Sequence, residues 1–423
     1  MNFKLFPSAL SVALLVVMIP QPKPATNNYH NYYSFHYSNN VIAAQNHFAF
    51  KLFKETLKND NTTANTLISP LSIYFNLSMA YNGTFGETKL KMQQALQLDD
   101  ADTSLLNLTN GTLIRYLSTT DSAVETSIAN AIWYRDQGQQ PLPAFLKVNS
   151  VYYHAKVTGS DFNNPNTVNQ INHWVSDQTH QKITSIVEQI PHQDILYLIN
   201  AVYFNGKWEN AFDTNRINRK RFFHLADGDS VRTDFMFKRS RFNYMQNQSL
   251  QIIEIPYGKG DFNMFVLLPS KISNLQTLIP ALNEDSLNRY ISLLDSVVVD
   301  LRLPSWEYRC KTNMKRELTA MGMGIAFGPK ANFSKMYSSN ANTEISQVLQ
   351  ETYIKVNARG TEAAAATTSV TIGYTAPAHF KPPPVMDVNQ PFFYIISEKK
   401  TGAILFIGEV NNPKEGQGLS SRG

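Results

Sequence analysis

The stretch GTEAAAATTSVTIGYTAP, residues 360–377, decides how this sequence is interpreted. If it forms a β-strand, its alternate residues make two faces, because successive side chains point to opposite sides. One face carries only small, uncharged side chains: Thr361, Ala363, Ala365, Thr367, Ser369 and Thr371. The other face begins with Glu362 and continues through Ala364 and Ala366. The first face could therefore lie on a packed core without overfilling it.

The same stretch is free of proline between positions 361 and 376, so every backbone N–H in it could join a central ladder. Pro377 and the prolines at 382–384 end that capacity. Alanine and glycine are nevertheless poor residues for stabilising an ordinary edge strand. Taken alone, the stretch also fits a flexible, alanine-rich surface loop.

The rest of the chain indicates one large domain of mixed α and β structure. Apolar residues at helical spacing predict helices at 41–58, 72–81, 88–96 and 168–178. Apolar runs predict strands at 128–133, 195–204, 250–255, 262–268, 297–303, 392–396 and 403–407. Because helices come early and strands come late, the expected class is α+β with largely antiparallel sheets.

The N-terminus indicates secretion. An apolar run of about twelve residues at 8–19, too short for a membrane helix, predicts a signal peptide ending near residue 25. A low-complexity Asn/Tyr-rich tail then covers 26–40, a single domain 41–413 and a C-terminal tail 414–423. Six sequons are candidate glycosylation sites: Asn61, Asn82, Asn107, Asn110, Asn247 and Asn332. A seventh, Asn76, lies in an apolar helical pattern and is not expected to carry glycan.

The composition argues against several function classes. The single cysteine, Cys310, excludes an intramolecular disulfide framework. No Gly-x-Ser-x-Gly elbow, phosphate loop or His-Glu-x-x-His motif occurs, so no catalytic residue, cofactor or metal site is expected. The densest basic stretches, 216–221 and 238–241, are interpreted as solvated strand and loop residues, with a polyanion-binding patch as the alternative. Neither nucleic acid nor a membrane is expected as a partner.

Several blocks of this sequence, in order and well spaced, resemble the serpin family over about residues 41–413. These blocks are ISPLSI (68–73), INHWV (171–175), NAVYFNGKW (200–208), FNMFVLLP (262–269), GAILFIG (402–408) and the stretch beginning at Gly360. The resemblance implies the serpin fold: three β-sheets, eight or nine helices and an exposed reactive-centre loop, here 358–384. It also implies a monomer prone to loop–sheet polymerisation.

The resemblance implies a mechanism as well. A serine protease attacks the loop and forms an acyl-enzyme, and the cleaved loop then inserts into the main sheet and traps the protease. The hinge of that loop would be Gly360, Thr361, Glu362, Ala363, Ala364, Ala365, Ala366 and Thr367. The expected scissile bond, fourteen residues after the hinge glycine, is Tyr374–Thr375, with Phe380 and Lys381 as alternative cleavage points. An aromatic residue there suits a chymotrypsin-like protease.

The region that must open to admit the loop is expected at Ser69, Ser72, Asn200, Trp208 and Gln350. Gln350 departs from the family, in which a His is usual, but its amide could still bond with the neighbouring Ser and Asn side chains. Ala358 and Ser305 replace the two members of an ion pair that is common in serpins, so neither leaves an unpaired charge. A secreted inhibitor is the favoured function. The alternative is a non-inhibitory carrier, storage protein or chaperone whose loop is cleaved without trapping.

Overall fold

A computed structural model describes residues 37–58, 64–98, 102–136, 140–270, 275–337, 343–361 and 382–414. The predicted signal peptide, most of the N-terminal tail and nearly all of the C-terminal tail lie outside these residues. No described helix has the length and apolar character needed to cross a membrane.

Nine α-helical segments occur in the described residues, and two of them have only four residues. They are α1 (Asn39–Lys58), α2 (Pro70–Tyr81), α3 (Gly86–Ala95), α4 (Thr103–Leu117), α5 (Pro143–Tyr153), α6 (Asn166–Gln178), α7 (Leu275–Leu278), α8 (Glu284–Ser292) and α9 (Lys315–Leu318). Pro70 begins α2, where a missing N–H costs nothing. Every residue of α2 is buried, whereas α6 buries only Thr167, Ile171 and Val175, one stripe at a spacing of four.

Fifteen strands complete the described part of the chain. They are β1 (Thr66–Ile68), β2 (Val124–Arg135), β3 (Lys156–Ser160), β4 (Leu196–Lys207), β5 (Asn218–His224), β6 (Ser230–Gln246), β7 (Leu250–Tyr257), β8 (Phe262–Pro269), β9 (Asp295–Pro304), β10 (Trp306–Asn313), β11 (Gln347–Asn357), β12 (Gly360–Thr361), β13 (Val385–Asp387), β14 (Phe392–Glu398) and β15 (Ile404–Val410). The predicted α+β class is confirmed, and each predicted helix and strand has a counterpart.

The strands form two hydrogen-bonded sheets. The six-stranded sheet has the order β10-β11-β12-β4-β2-β3. The nine-stranded sheet has the order β1-β15-β14-β8-β7-β6-β9-β13, with β5 also paired to β6. Three sheets were expected, and two of them join here because the 17-residue strand β6 pairs with β7 near its end and with β5 and β9 before that.

Two hydrophobic cores lie on opposite faces of the six-stranded sheet. The larger core contains the even-numbered β4 residues Leu196, Leu198, Val202 and Phe204, together with residues of the nine-stranded sheet, α1 and α2. The smaller core contains the odd-numbered β4 residues Tyr197, Ile199 and Ala201 with two residues of α6, Ile171 and Val175. This alternation follows from the pleat of a strand that is buried on both faces. It fixes which core each residue of β4 faces.

Candidate functional site

The hinge of the predicted reactive loop has already begun to pair within the six-stranded sheet. After β11 the chain turns back at Ala358 and Arg359, and β12 enters between β11 and β4. Gly360 and Thr361 pair antiparallel with Asn357 and Val356 on β11. The same two residues pair antiparallel with Lys207 and Gly206 on β4. The hinge is therefore a two-residue wedge at one end of the sheet.

Gly360 is the residue that makes this turn sterically possible. Its φ is +146°, a backbone conformation that residues with a Cβ rarely adopt. A Cβ at this position would lie 2.2 Å from the Gly206 carbonyl oxygen and 2.7 Å from the Lys207 Cα. The close approach of β12 to β4 thus requires glycine here.

Thr361 points into the larger core and is almost fully buried. Its Oγ1 lies 2.7 Å from the Tyr257 hydroxyl oxygen, and the two hydroxyl groups are hydrogen-bonded. The Tyr257 ring stacks on Trp208 with 4.3 Å between the ring centroids. The Trp208 indole N–H donates to the Asn357 carbonyl oxygen at 2.9 Å. Trp208 therefore belongs to the hinge end of the sheet, away from the other four residues predicted for sheet opening.

Away from the wedge, β12 no longer separates β4 from β11, and the two strands come together. They pair directly and in parallel from Tyr197 with Gln347 as far as Val202 with Thr352. Residues 203–205 of β4 and 353–355 of β11 lie between the last of these pairs and the two hinge residues. The strands form a fork, closed at one end by their own ladder and at the other by β12.

Gln350 brings the other predicted opening residues together within the closed part of the fork. Its Nε2 donates to the Ser69 carbonyl oxygen at 3.0 Å, to Ser72 Oγ at 3.1 Å and to Asn200 Oδ1 at 3.1 Å. Its Oε1 accepts from the Ser69 backbone N–H at 3.0 Å. Asn200 in turn donates to Asn130 on β2, a residue that the sequence did not single out. We call these five residues the amide cluster.

The amide cluster is fully buried, so its hydrogen bonds have no competing solvent. Such networks specify one arrangement of a core strongly, because an unpaired polar group in a low-dielectric interior is costly. The Gln350–Asn200 bond also crosses from β11 to β4. Separating these two strands must therefore break a buried hydrogen bond that needs replacement.

Glu351, which follows Gln350 on β11, is a buried acid in the same closed part of the fork. It pairs with Ala201 of β4 and is only 4 % exposed, and its Oε2 receives no hydrogen bond within the described structure. Burial raises the pKa of Glu351 to about 7, and the positive charges of Lys311 and Arg309 only partly oppose this. Lys311 is opposite Glu351 on β10 but binds Glu188 at 2.8 Å. The sequence alone did not identify this acid.

The missing family ion pair has a neighbouring counterpart. Ala358 is buried, and its carbonyl oxygen accepts from the Phe212 backbone N–H. Two residues after Ser305, Glu307 on β10 accepts from Lys355 on β11 at 2.7 Å, and the two lie directly opposite each other. Both side chains are nearly half exposed, so this pair contributes little to stability. It links β11, one strand of the fork, to its outer neighbour β10.

Most of the predicted loop lies outside the described residues. This applies to the remaining hinge residues and to every candidate cleavage point: Glu362, Ala363, Ala364, Ala365, Ala366, Thr367, Tyr374, Thr375, Phe380 and Lys381. The described chain resumes at Pro382 and enters β13, which pairs in parallel with β9. Within the described ranges, no group of three or more His, Cys, Asp or Glu side chains could hold a metal ion.

The structure corrects part of the glycosylation expectation. Asn107 and Asn110 are buried in the interior, where both bond to the Tyr153 hydroxyl, so a glycan has no room at either residue. Asn82 is half-buried and exchanges hydrogen bonds with Asn107. Asn332 is also half-buried, and Asn247 is exposed between β6 and β7. Asn76 is buried, and Asn61 lies outside the described residues.

The site defines a class of protein: one that holds the first residues of a loop between two strands of its main sheet, above a buried polar cluster. Residues 43–413 match the model of the serpin family, described as serine protease inhibitors. An uncharacterised serpin-like protein of Thermococcus kodakarensis is 32 % identical over 378 residues, 89 % of this chain and 86 % of that protein. The chain belongs to the serpin family.

Two solved structures show the same fold. The native state of the thermophilic serpin Tengpin matches with a TM-score of 0.81 and 29 % identity, over 89 % of this chain and 95 % of that one. Human thyroxine-binding globulin, solved in complex with thyroxine, matches with a TM-score of 0.80 and 24 % identity, over 89 % of this chain and 99 % of that one. Serpins are generally protease inhibitors and not enzymes.

The geometry of Gly360 predicts that Gly360→Ala forces β12 out of the sheet. The added Cβ meets backbone atoms at a strained φ, and together these effects cost at least about 2 kcal/mol. Hydrogen exchange followed by mass spectrometry should show faster exchange in the peptides covering 203–210 and 356–361. Gly328→Ala, where nothing lies within 4 Å and φ is −138°, is the matched control. Unchanged exchange in Gly360→Ala would contradict the wedge.

The burial of Glu351 predicts a pH-dependent stability. Its pKa in the folded chain is about 7 and its ordinary value is 4.5, so the folded state holds an extra proton between these values. Stability is therefore lost as the pH rises through that window, by about 3 kcal/mol in full. Glu351→Gln should raise the thermal transition by a few degrees at pH 8 and leave it unchanged at pH 4.

The control for this prediction is Glu188→Gln, which removes an exposed carboxylate from the same Lys311. That variant should gain nothing at pH 8. Both variants are compared with the wild type at one scan rate, because a transition followed by irreversible steps depends on the heating rate. An equal gain in Glu351→Gln at pH 4 and pH 8 would show that repacking, and not ionisation, is responsible.

Proposed function

We propose that this chain is a secreted inhibitor of a chymotrypsin-like or elastase-like serine protease. It traps the protease as an acyl-enzyme by inserting its cleaved reactive loop between β4 and β11. The observation that carries the proposal is the antiparallel wedge of Gly360 and Thr361, which already sets the register for the residues that follow. The loop would continue this ladder once the direct pairing of β4 with β11 has opened.

Extending that register places each following loop residue between defined partners. Glu362 would lie opposite Lys355 of β11 and Asn205 of β4, and Ala363 opposite Ile354 and Phe204. Lys355 is 42 % exposed, so Glu362 gains a cationic neighbour on the exposed side. Residues 360–371 would pair with all of β4, from Lys207 to Leu196, and position 374 would lie beyond its end.

The two faces of the loop match the two sides of the fork. Because Thr361 points into the larger core, positions 363, 365 and 367 would point there too. These positions are Ala, Ala and Thr, small enough to enter a core that Ile354 and Phe204 already fill. A large or charged side chain on this face would overpack the core or bury an unpaired charge.

Insertion would place the hydroxyl group of Thr367 next to the amide cluster. In the extended register, Thr367 lies between Gln350 and Asn200. The Gln350–Asn200 hydrogen bond breaks when the strands separate. A threonine hydroxyl can donate and accept, so it can bond to both amides and offset the loss. This match supports insertion to at least the middle of β4 despite the glutamine in place of the usual histidine.

The proposed scissile bond is Tyr374–Thr375. An aromatic side chain fits the hydrophobic specificity pocket of a chymotrypsin-like protease. Insertion from Thr361 to Tyr374 would carry the bound protease roughly 43 Å along the sheet, at about 3.3 Å per residue. The same open register gives the hinge of one molecule a place in the sheet of another, so loop–sheet polymerisation on heating is part of the proposal.

The second candidate function is that of a carrier with the same fold, which does not trap a protease. Human thyroxine-binding globulin, with a closely similar fold, was solved with thyroxine, so a carrier role is the alternative for this chain. The departures at Ala358, Ser305 and Gln350 favour it, because all three concern the movement of the sheet. In a carrier, the loop would be cut without a trapped protease.

The deciding experiment mixes the purified mature chain separately with chymotrypsin, elastase and trypsin. The wild type should form an SDS-stable complex and release a C-terminal peptide that begins at Thr375, as seen by mass spectrometry. A peptide that begins at Lys381 or Pro382 would keep the mechanism and move the bond. Clean cleavage within 362–381 without a complex, for every protease, would overturn inhibition in favour of the alternative.

Loop variants test insertion itself. Thr361→Arg and Ala365→Pro should convert the chain into a substrate, because a buried charge or a missing N–H stops the ladder. The matched controls Thr361→Ser and Ala365→Ser keep small side chains and should still form complexes. If the arginine and proline variants trapped protease at wild-type stoichiometry, the loop would not insert through these positions.

A further inference from the structure

A cleft on the nine-stranded sheet gathers arginine side chains over an apolar floor. It has a volume of about 560 Å³ and is lined by Arg216, Asn218, Arg221, Arg302, Phe235, Met236 and Phe237. Arg216 precedes β5, Arg221 is on β5 and Arg302 is on β9, so residues distant in sequence converge. The volume lies within the range of about 300–1,000 Å³ that is usual for small-molecule sites.

The cations in the cleft exceed the anions that hold them. Arg221 and Arg302 both donate to the same oxygen of Asp387, Oδ2, and the Arg302 contact is long at 3.4 Å. The other Asp387 oxygen is buried and is not an acceptor for either guanidinium. Arg216 contacts only Asp213 among the described residues, at 3.7 Å. Three guanidinium groups therefore face two carboxylates.

The arginines remain accessible for a ligand. The side chain of Arg302 is 39 % exposed and that of Arg221 is 24 % exposed. A guanidinium carries five N–H donors in a planar fork that matches a carboxylate or sulfonate. One shared carboxylate oxygen cannot satisfy the donors of both groups, so an incoming anion would find free donors on the open side of Arg302.

The floor of the cleft indicates what the anion is attached to. Phe237 is half-buried and lies opposite Arg302 on the neighbouring strand β6, and Met236 is next to it in sequence. The Arg221 guanidinium lies over the Phe235 ring, 5.1 Å from its centroid. Phe235 and Met236 are almost fully buried, so Phe237 supplies the exposed apolar surface of the floor. An inorganic ion would leave Phe237 uncovered, whereas an aromatic body would cover it and stack beside the guanidinium groups.

We propose that the cleft between β5, β6 and β9 binds a small organic anion with an aromatic body, such as an aryl carboxylate or aryl sulfonate. The anionic group takes donors from Arg302 and Arg221, and the ring covers Phe237. The site is independent of the fork between β4 and β11. It lies beside Asp387 of β13, the strand that follows the loop, so a ligand bridging β5 and β9 also holds β13 in place.

The test is a fluorescence titration of the full mature chain with 8-anilinonaphthalene-1-sulfonate. The wild type should bind one molecule saturably. Naphthalene-2-sulfonate should displace it at much lower concentration than the neutral 2-naphthalenemethanol, which has the same ring system without the charge. This comparison needs no variant. Equal displacement by the neutral and anionic compounds would overturn the proposed role of the arginines.

Variants locate the site. Arg302→Gln keeps the Arg221–Asp387 pair and should weaken binding about tenfold or more, as expected for lost hydrogen bonds to a charged group. Arg302→Lys keeps the charge without the planar fork and should bind with intermediate affinity. Arg232→Gln removes an exposed charge of β6 that lies over Phe222, outside the cleft, and should bind like the wild type. Wild-type affinity in Arg302→Gln, or equal weakening in Arg232→Gln, would place the anion elsewhere.

Discussion

The antiparallel pairing of Gly360 and Thr361 between β4 and β11 is the constraint on which the rest of the site depends. These two residues hold the strands apart at one end of the sheet while a direct parallel ladder joins them at the other. Glycine is required at the first position by its positive φ, and the second residue is fixed by its bond to Tyr257 in the core. Together they set which loop residue would face which core if the ladder were extended.

The closed end of the fork combines features that raise and lower the stability of the folded chain. The buried hydrogen bonds of Gln350 stabilise the closed sheet, and breaking them without replacement is costly. Glu351, one residue away, carries a carboxyl group whose pKa burial raises to about 7, so its ionisation lowers the stability of the folded chain as the pH rises. Two adjacent side chains of β11 therefore affect the stability of the folded chain in opposite directions. The glutamine in place of the usual family histidine keeps Ser69, Ser72 and Asn200 bonded to one side chain, although the Asn130 Nδ2 at the edge of the cluster has no acceptor among the described residues.

Elements with a regular apolar pattern could be predicted from the sequence. Elements whose apolar pattern is interrupted by polar residues or glycine could not. The pattern over 168–178 around Trp174 predicted α6, and apolar runs at 250–255 and 262–268 predicted β7 and β8. Strand β11 gave no such signal, because Gln350 and Glu351 interrupt its apolar pattern. Helix α4 was missed because Gly111 and two asparagines, Asn107 and Asn110, lower its intrinsic propensity. A Cβ at Gly111 would lie 2.8 Å from the Tyr152 carbonyl oxygen, so tertiary packing selects the glycine.

The candidate site, too, could be predicted from the sequence only in part. Four of the five residues of the amide cluster were anticipated from the resemblance to a known family, and Asn130 was not. The bond between Thr361 and Tyr257 joins residues 104 positions apart, and the cleft depends on three arginines that only the folded sheet brings together. The raised pKa of Glu351 likewise follows from burial, which no local pattern encodes.

The most direct measurement of the central claim is the thermal transition of the chain before and after a single cut within residues 362–381 by a protease that does not remain bound. If the loop continues the ladder begun by Gly360 and Thr361, the cut chain gains a full central strand in the six-stranded sheet. Its transition should then move to a much higher temperature than that of the intact chain. A transition that stays the same or falls after the cut would contradict the account, because the loop would then have no place between β4 and β11.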